Sequence, residues 1–218
     1  MFSTAKFSTL FFVLCFAMAI SVAFAIELPP NTIIIEAEDG EMDGGVTVVE
    51  EDDASEGKAI DSAVQAVTRY EIDIPKEGEW YVWVRLYCPD GGADSFWIGI
   101  EGAKPNPNDA NGGPEAVKIY SEEGDSVNMD AQPLGIWYWD AGVKAEPPEN
   151  RFFDVKDVGK NILWSKGREA GTLLDQILLT MDPGFNAEEA SQGEPIPILS
   201  AVYFKDKLTT AWGRIKTH

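Results

Sequence analysis

The stretch "EWYVWVRLY", residues 79–87, decides the fold. Trp80, Val82, Val84 and Leu86 occupy alternate positions, and Tyr81, Trp83, Arg85 and Tyr87 fill the positions between. A period of two, with aromatic and β-branched residues, predicts a strand with one face on a core. Similar runs lie on both sides of it: "TIIIEAE" (32–38), "VTVVEE" (46–51), "AVTRYEIDI" (66–74), "DSFWIGIEG" (94–102), "AVKIY" (116–120), "GIWYWDAG" (135–142), "NRFFDVKDV" (150–158), "NILWSKG" (161–167) and "LLDQILLTM" (173–181). Gly, Pro, Asn and Asp separate them. No segment between 26 and 182 sustains a helical period, and "EEASQG" is too short to count as a helix. Many short strands between turn signals predict an all-β fold, an antiparallel β-sandwich.

The ends differ from this body. Residues 1–25 begin with one lysine (Lys6), continue in an apolar run and close on Ala23-Phe24-Ala25. That order predicts a secretory signal peptide, with an uncleaved anchor as the alternative. No later stretch is long and apolar enough to span a bilayer, so no membrane insertion is expected after its removal. Residues 183–197, "PGFNAEEASQGEPIP", have linker composition. The last residues, 198–218, join an apolar piece to a basic end carrying Lys205, Lys207, Arg214 and Lys216. The expected plan is a signal peptide (1–25), one sandwich (26–182), and a linker with a C-terminal appendage (183–218). The appendage either docks on the sandwich as an extra strand or is recognised by a protein partner.

Charge and rare residues exclude several functions. Seventeen Lys and Arg stand against 37 Asp and Glu, a net charge of −20. A field of that sign excludes general nucleic-acid binding and suits divalent cations. The single histidine is the last residue, His218, so neither a Ser-His-Asp triad nor an imidazole zinc site is available. A metal here is held by oxygen, which favours calcium. Once residues 1–25 are removed, Cys88 is the one remaining cysteine. It has no internal disulfide partner and reads as a buried thiol.

Acidic residues sit where strands should be apolar. In "NTIIIEAEDGEMDGG" (31–45), strand alternation places Ile34, Glu36 and Glu38 on one face and Ile33, Ile35 and Ala37 on the other. In "LLDQILLT" (173–180), Leu173, Asp175, Ile177 and Leu179 share a face. A buried carboxylate needs an arginine, a lysine or a cation beside it. A divalent ion serves three carboxylates better than one monovalent base does.

The motifs "EAE", "SEGKAI", "GEWYVWVR" and "REAGTLLDQILLT", in that order, resemble the family 6 and family 35 carbohydrate-binding modules, which are galactose-binding-domain-like. The resemblance runs from about residue 32 to 181. It implies a β-sandwich jelly roll. It also implies a structural calcium ion held by Glu36, Glu38 and Asp175, with a main-chain carbonyl from Gly57 or Lys58. Glu56 stands where the family often has glycine. A second oxygen cluster, Asp109, Asn111 and Glu115 in the polar loop 102–115, lacks the spacing of an EF-hand and reads as a hydrated loop.

Members of these families bind polysaccharide or oligosaccharide by stacking aromatic rings on sugar, at a loop edge or on a concave sheet face. The candidate rings are Trp97, Trp137, Trp139 and Trp164, with Arg168 and Glu169 as polar partners or as an ion pair. Trp97 lies opposite Phe96, Ile98 and Ile100 and is expected to be accessible. Trp137 is expected to be exposed and Trp139 to be core. The leading expectation is a secreted or cell-surface, non-catalytic module. A structural or adhesive protein on the same fold and a glycan-active enzyme are the alternatives.

Overall fold

The computed structural model describes residues 26–106, 116–120, 134–141 and 152–198. The predicted signal peptide, the cluster Asp109, Asn111 and Glu115, and the basic tail 199–218 lie outside these residues. The described strands are, in order, β1 (Ile33–Glu36), β2 (Glu41–Met42), β3 (Val46–Glu50), β4 (Lys58–Ser62), β5 (Val67–Ile74), β6 (Gly78–Tyr87), β7 (Ser95–Ile100), β8 (Lys104–Asn106) and β9 (Ala116–Tyr120). They continue as β10 (Trp137–Asp140), β11 (Phe152–Val155), β12 (Gly159–Gly167) and β13 (Leu173–Thr180), followed by a short helix α1 (Ala187–Ser191).

All described pairings are antiparallel. One eight-stranded sheet runs β3-β4-β13-β6-β11-β8, with β1 beside β13 and β10 beside β6. A five-stranded sheet runs β2-β5-β12-β7-β9. The alternation in residues 79–87 holds. Trp80, Val82, Val84 and Leu86 are fully buried and meet Ile72 and Ile74 of β5, Ile98 and Ile100 of β7, and Leu163 of β12 in the core. The molecule is therefore an all-β sandwich with its main core between the sheets. The Cys88 thiol is buried within that core, 3.5 Å from the Tyr138 hydroxyl. Among the described residues no helix is long and apolar enough to cross a membrane.

Two local departures from the predicted strands place the acids. The first strand stops at Glu36, and Ala37–Asp39 form a 3-10 turn. Glu36 and Glu38 are thus not stacked by strand alternation, as expected from sequence. The chain turns between them, pinned by the fully buried Ala37, whose carbonyl accepts the Tyr70 hydroxyl at 3.1 Å. Gly40 follows because the turn passes close to β5. A Cβ there would lie 2.3 Å from a Thr68 methyl carbon and 2.6 Å from the Tyr70 ring.

The second departure is a β-bulge in β13. Leu174 pairs with Leu86 and Gln176 with Arg85, which leaves Asp175 as the extra residue. The bulge breaks the expected face of Leu173, Asp175, Ile177 and Leu179. Leu174, Ile177 and Leu179 share the core instead, and Asp175 is freed from the ladder.

Residues 183–197, read from sequence as a linker, pack on the outer face of the larger sheet. Trp83, Trp139, Ala141, Leu178, Ala187 and Ile196 form a second buried cluster there, against which Ile26, Leu28, Ile34 and Phe185 pack. The "AEEAS" helix exists because Asn186 caps it, accepting the Glu189 N–H at 3.1 Å. Five hydrogen bonds tie this strap down. Arg85 Nε donates to the Gly193 carbonyl at 2.8 Å, and Trp139 Nε1 donates to the Glu194 carbonyl at 3.0 Å. The Trp139 N–H donates to Glu188 Oε2 at 2.8 Å. The Gln176 side chain both donates to the Ile196 carbonyl (3.0 Å) and accepts its N–H (2.9 Å).

Candidate functional site

The acids at the first and last strands are close, but they are not equivalent. Asp175 is fully buried and bonded through both oxygens. Its Oδ1 accepts the Ser55 N–H at 2.9 Å, and its Oδ2 pairs with Arg85 Nη1 at 2.6 Å. Glu36, 5 % exposed, has one satisfied oxygen, which accepts from Ser55 Oγ and from Gln176 Nε2, both at 2.9 Å. Its other oxygen and both oxygens of Glu38 are buried without a hydrogen-bond donor. Burial pushes the Glu36 carboxyl up to about 7, against those two hydrogen bonds, with Asp175 and Glu38 adding to the rise. Burial likewise raises Glu38, and it raises Asp175 against the pull of Arg85.

The expected three-acid metal site is therefore altered. Among the described residues no three His, Cys, Asp or Glu side chains are grouped to hold a metal. Arg85 reaches Asp175 from the neighbouring strand and takes the carboxylate that was expected to join Glu36 and Glu38. Three orphaned carboxylate oxygens on two residues remain, a donor set suited to a hard cation. Lys58 is exposed at the start of β4, and its ammonium charge pulls the Glu38 carboxyl down, against the net rise. The Gly57 carbonyl already accepts the Glu51 N–H at 3.0 Å. Glu56 adopts φ +52°, a left-handed conformation that explains why glycine suits this turn.

Arg85 links the acids to a cleft. Besides Asp175 and Gly193 it donates to the Asp53 carbonyl at 3.0 Å, and its guanidinium carbon lies 5.0 Å from the Trp137 ring centroid. Trp137 pairs with Tyr87 in register, and their rings are 5.6 Å apart and tilted by 47°. These side chains floor a cleft of about 570 Å3 on the outer face of the larger sheet. Glu51 and Asp53 line one wall, from the β3–β4 turn, and Gln192, Gly193 and Glu194 of the strap line another. The cleft thus joins two aromatic rings to three acidic residues. Such a surface covers the apolar C–H face of a sugar and accepts hydrogen bonds from its hydroxyls.

The six residues expected to bind ligand are dispersed. Trp137, expected to be an exposed ring, is half-buried and lines the cleft. Trp139 is 2 % exposed, and it packs under the strap rather than meeting ligand. Trp97 is 4 % exposed, contrary to the expected accessible ring. It sits on β7 between β12 and β9, in register with Lys166 and Lys118. Trp164 is half-buried on the outer face of the smaller sheet, with Lys166 Nζ 5.8 Å from its ring centroid. Arg168 and Glu169 form an ion pair, and both bond Ser95 Oγ, at 2.6 Å and 2.8 Å. That contact ties the β12–β13 turn to β7.

Sequence reasoning missed Arg85, Tyr87, Glu51, Asp53 and Glu194. The alternation in 79–87 does put Arg85 and Tyr87 on the non-core face. Nothing in the sequence places residues 51–53 and 192–194 beside them.

Fold and register define an antiparallel β-sandwich with an aromatic, acid-walled cleft on one outer face. No protein-family model and no curated protein matches the chain. Among solved structures it is similar to the C-terminal family 6 carbohydrate-binding module of the laminarinase LamC from Zobellia galactanivorans, at 16% identity and a TM-score of 0.45, over 69% of this chain and 99% of that one. It is also similar to a family 6 module of Cellvibrio mixtus lichenase 5A solved with cellotriose (16% identity, TM-score 0.46, 69% and 97% covered). The Podospora anserina GH26–CBM35 β-(1,4)-mannanase is a third, at 13% identity and a TM-score of 0.47, covering 72% of this chain and 29% of that one.

Proposed function

We propose that this protein is an exported, non-catalytic carbohydrate-binding module that holds polysaccharide in the Trp137–Tyr87 cleft. The observation that carries this reading is the pairing of those two rings, 5.6 Å apart, on the floor of a cleft of about 570 Å3. A ring that covers on the order of 100 Å2 of sugar contributes roughly 2.5 kcal/mol at ~25 cal/mol per Å2. A dissociation constant of 1 mM requires about 4.1 kcal/mol, so two rings with carboxylate hydrogen bonds suffice for weak binding. Export rests on the composition of residues 1–25 and makes an extracellular glycan the accessible partner.

Affinity electrophoresis through gels containing soluble polysaccharides tests the assignment. Trp137→Ala should lose retardation, a weakening of about 50-fold or more on the same area arithmetic. Trp164→Ala should keep the full shift, because its ring lies on the other sheet. Equal retardation of both variants and the parent would overturn the cleft assignment. An absence of retardation on every glycan would favour the structural or adhesive reading.

The same reading includes a calcium ion held by Glu36 and Glu38 and by the Lys58 main-chain carbonyl, without Asp175, the third expected carboxylate, which Arg85 engages. The ion would supply the positive charge that the orphaned oxygens lack. Its absence should show in the pH dependence of stability. Glu36 titrates near 7 in the folded chain against 4.5 as its ordinary value, so folding favours its protonated form. In chelator, stability should be greatest below about pH 4.5 with respect to this group and fall by about 3 kcal/mol as pH rises through 7. Glu38 and Asp175 shift in the same direction and deepen the fall. Calcium at 100 times its dissociation constant should restore about 2.7 kcal/mol. Thermal melts at about pH 8 with calcium or with chelator check this, and Glu36→Gln should respond to neither. Superimposed curves for the parent protein would rule the ion out.

A further inference from the structure

We infer that the cleft selects its glycan by charge, taking amino-bearing sugars ahead of neutral ones and refusing uronates and sulfated chains. This rests on the glycan-binding reading above and narrows it.

Three acidic residues, Glu51, Asp53 and Glu194, are among those lining the cleft. Glu51 and Asp53 come from one turn and Glu194 from the strap, so acidic residues stand on both walls. Among the described residues that line the cleft, Arg85 is the one cation, and its charge is already committed. It is 2 % exposed and pairs with the fully buried Asp175 at 2.6 Å. Its remaining described contacts are the Asp53 and Gly193 carbonyls and the Trp137 ring. An acidic sugar entering this space meets three like charges and no free counter-charge. A neutral sugar donates hydroxyl hydrogen bonds to the carboxylates. A sugar amine does the same with a full positive charge, beside two aromatic rings that also attract cations. The chain's net charge of −20 adds a long-range field of the same sign.

The test compares three polymers with the full chain at mildly acidic pH, where glucosamine amines are protonated. The probes are chitosan oligosaccharides, a neutral β-glucan and polygalacturonate. The glucosamine oligomers should bind about tenfold more tightly than neutral oligomers of equal length at low salt, and polygalacturonate should not bind. Bulk attraction to a polycation is separated from the cleft by the triple variant Glu51→Gln, Asp53→Asn, Glu194→Gln. It removes three of the 37 acidic residues and leaves the protein strongly acidic. The variant should bind amine and neutral oligomers with equal affinity, because its amide oxygens accept hydroxyl hydrogen bonds but carry no charge, and Trp137→Ala should weaken both. Three results would overturn the inference: binding of polygalacturonate, equal affinity for amine and neutral oligomers, or an unchanged preference in the triple variant. Neutral glucan retarded through Trp137 with no amine preference would leave the glycan assignment standing and sink only the charge selection. No binding to any polymer would remove both.

Discussion

A chain ended at Asp182 should fail to hold a fixed tertiary structure at room temperature, although it contains every described strand. The truncation removes the strap, and with it five hydrogen bonds to Arg85, Trp139 and Gln176. It also exposes Trp83, Trp139 and Leu178 on the face that Ala187, Ile196 and Phe185 cover. At about 1 kcal/mol per hydrogen bond, with roughly 1.5–3 kcal/mol for each large apolar side chain uncovered, the loss exceeds about 5 kcal/mol. Domains of this kind hold only about 5–15 kcal/mol in total. Gln176 is the critical contact, because its amide satisfies Ile196 and Glu36 together. Urea denaturation followed by near-ultraviolet circular dichroism, on chains ending at residues 182 and 198, checks the result. Equal midpoints would show that the strap is an ornament on a self-sufficient sandwich. The truncated chain should also lose the cleft, since Gln192, Gly193 and Glu194 form one of its walls.

The second large effect is expected at Arg85. Arg85→Met should cost about 3–5 kcal/mol, the usual penalty for removing one partner of a buried ion pair. The cause is less the lost attraction than the carboxylate left behind. Asp175 is fully buried, and without Arg85 only the Ser55 N–H remains to bond it. Adding Asp175→Asn removes that stranded charge and should recover more than half of the loss. A double-mutant cycle in urea measures the coupling. Additive costs would mean that the pair does not interact as its 2.6 Å separation implies. Because Arg85 also packs on Trp137, the single variant should disturb the intrinsic fluorescence of that ring as well.

Much of the sandwich was legible because its signals are local. Alternation in residues 79–87 and 66–74 reports which side of a strand faces oil, and that choice repeats every second residue whatever the partner strand. The strands Glu41–Met42 and Lys104–Asn106 escaped because two or three residues carry too few alternations to stand out, and Lys58–Ser62 because its adjacent buried Ala59 and Ile60 break the alternation. The strap escaped for a different reason. Its composition is that of a linker, and five helical residues have no independent stability in water. It is held by Gln176 of the preceding strand and by Trp139 and Arg85, which belong to strands far away in sequence.

The candidate site divides along the same line. Sequence by itself determined that Glu36, Glu38 and Asp175 are acids in apolar surroundings and must be compensated, because an uncompensated buried charge is intolerable wherever it falls. It also determined that Arg85 and Tyr87 face away from the core. Only the tertiary structure decided how the compensation is divided. A one-residue bulge turns Asp175 toward Arg85, and a 3-10 turn separates Glu38 from the strand that carries Glu36. Pairing partners and cleft walls are set by strand register and by loops converging from distant parts of the chain, and neither quantity is encoded in any short window of residues.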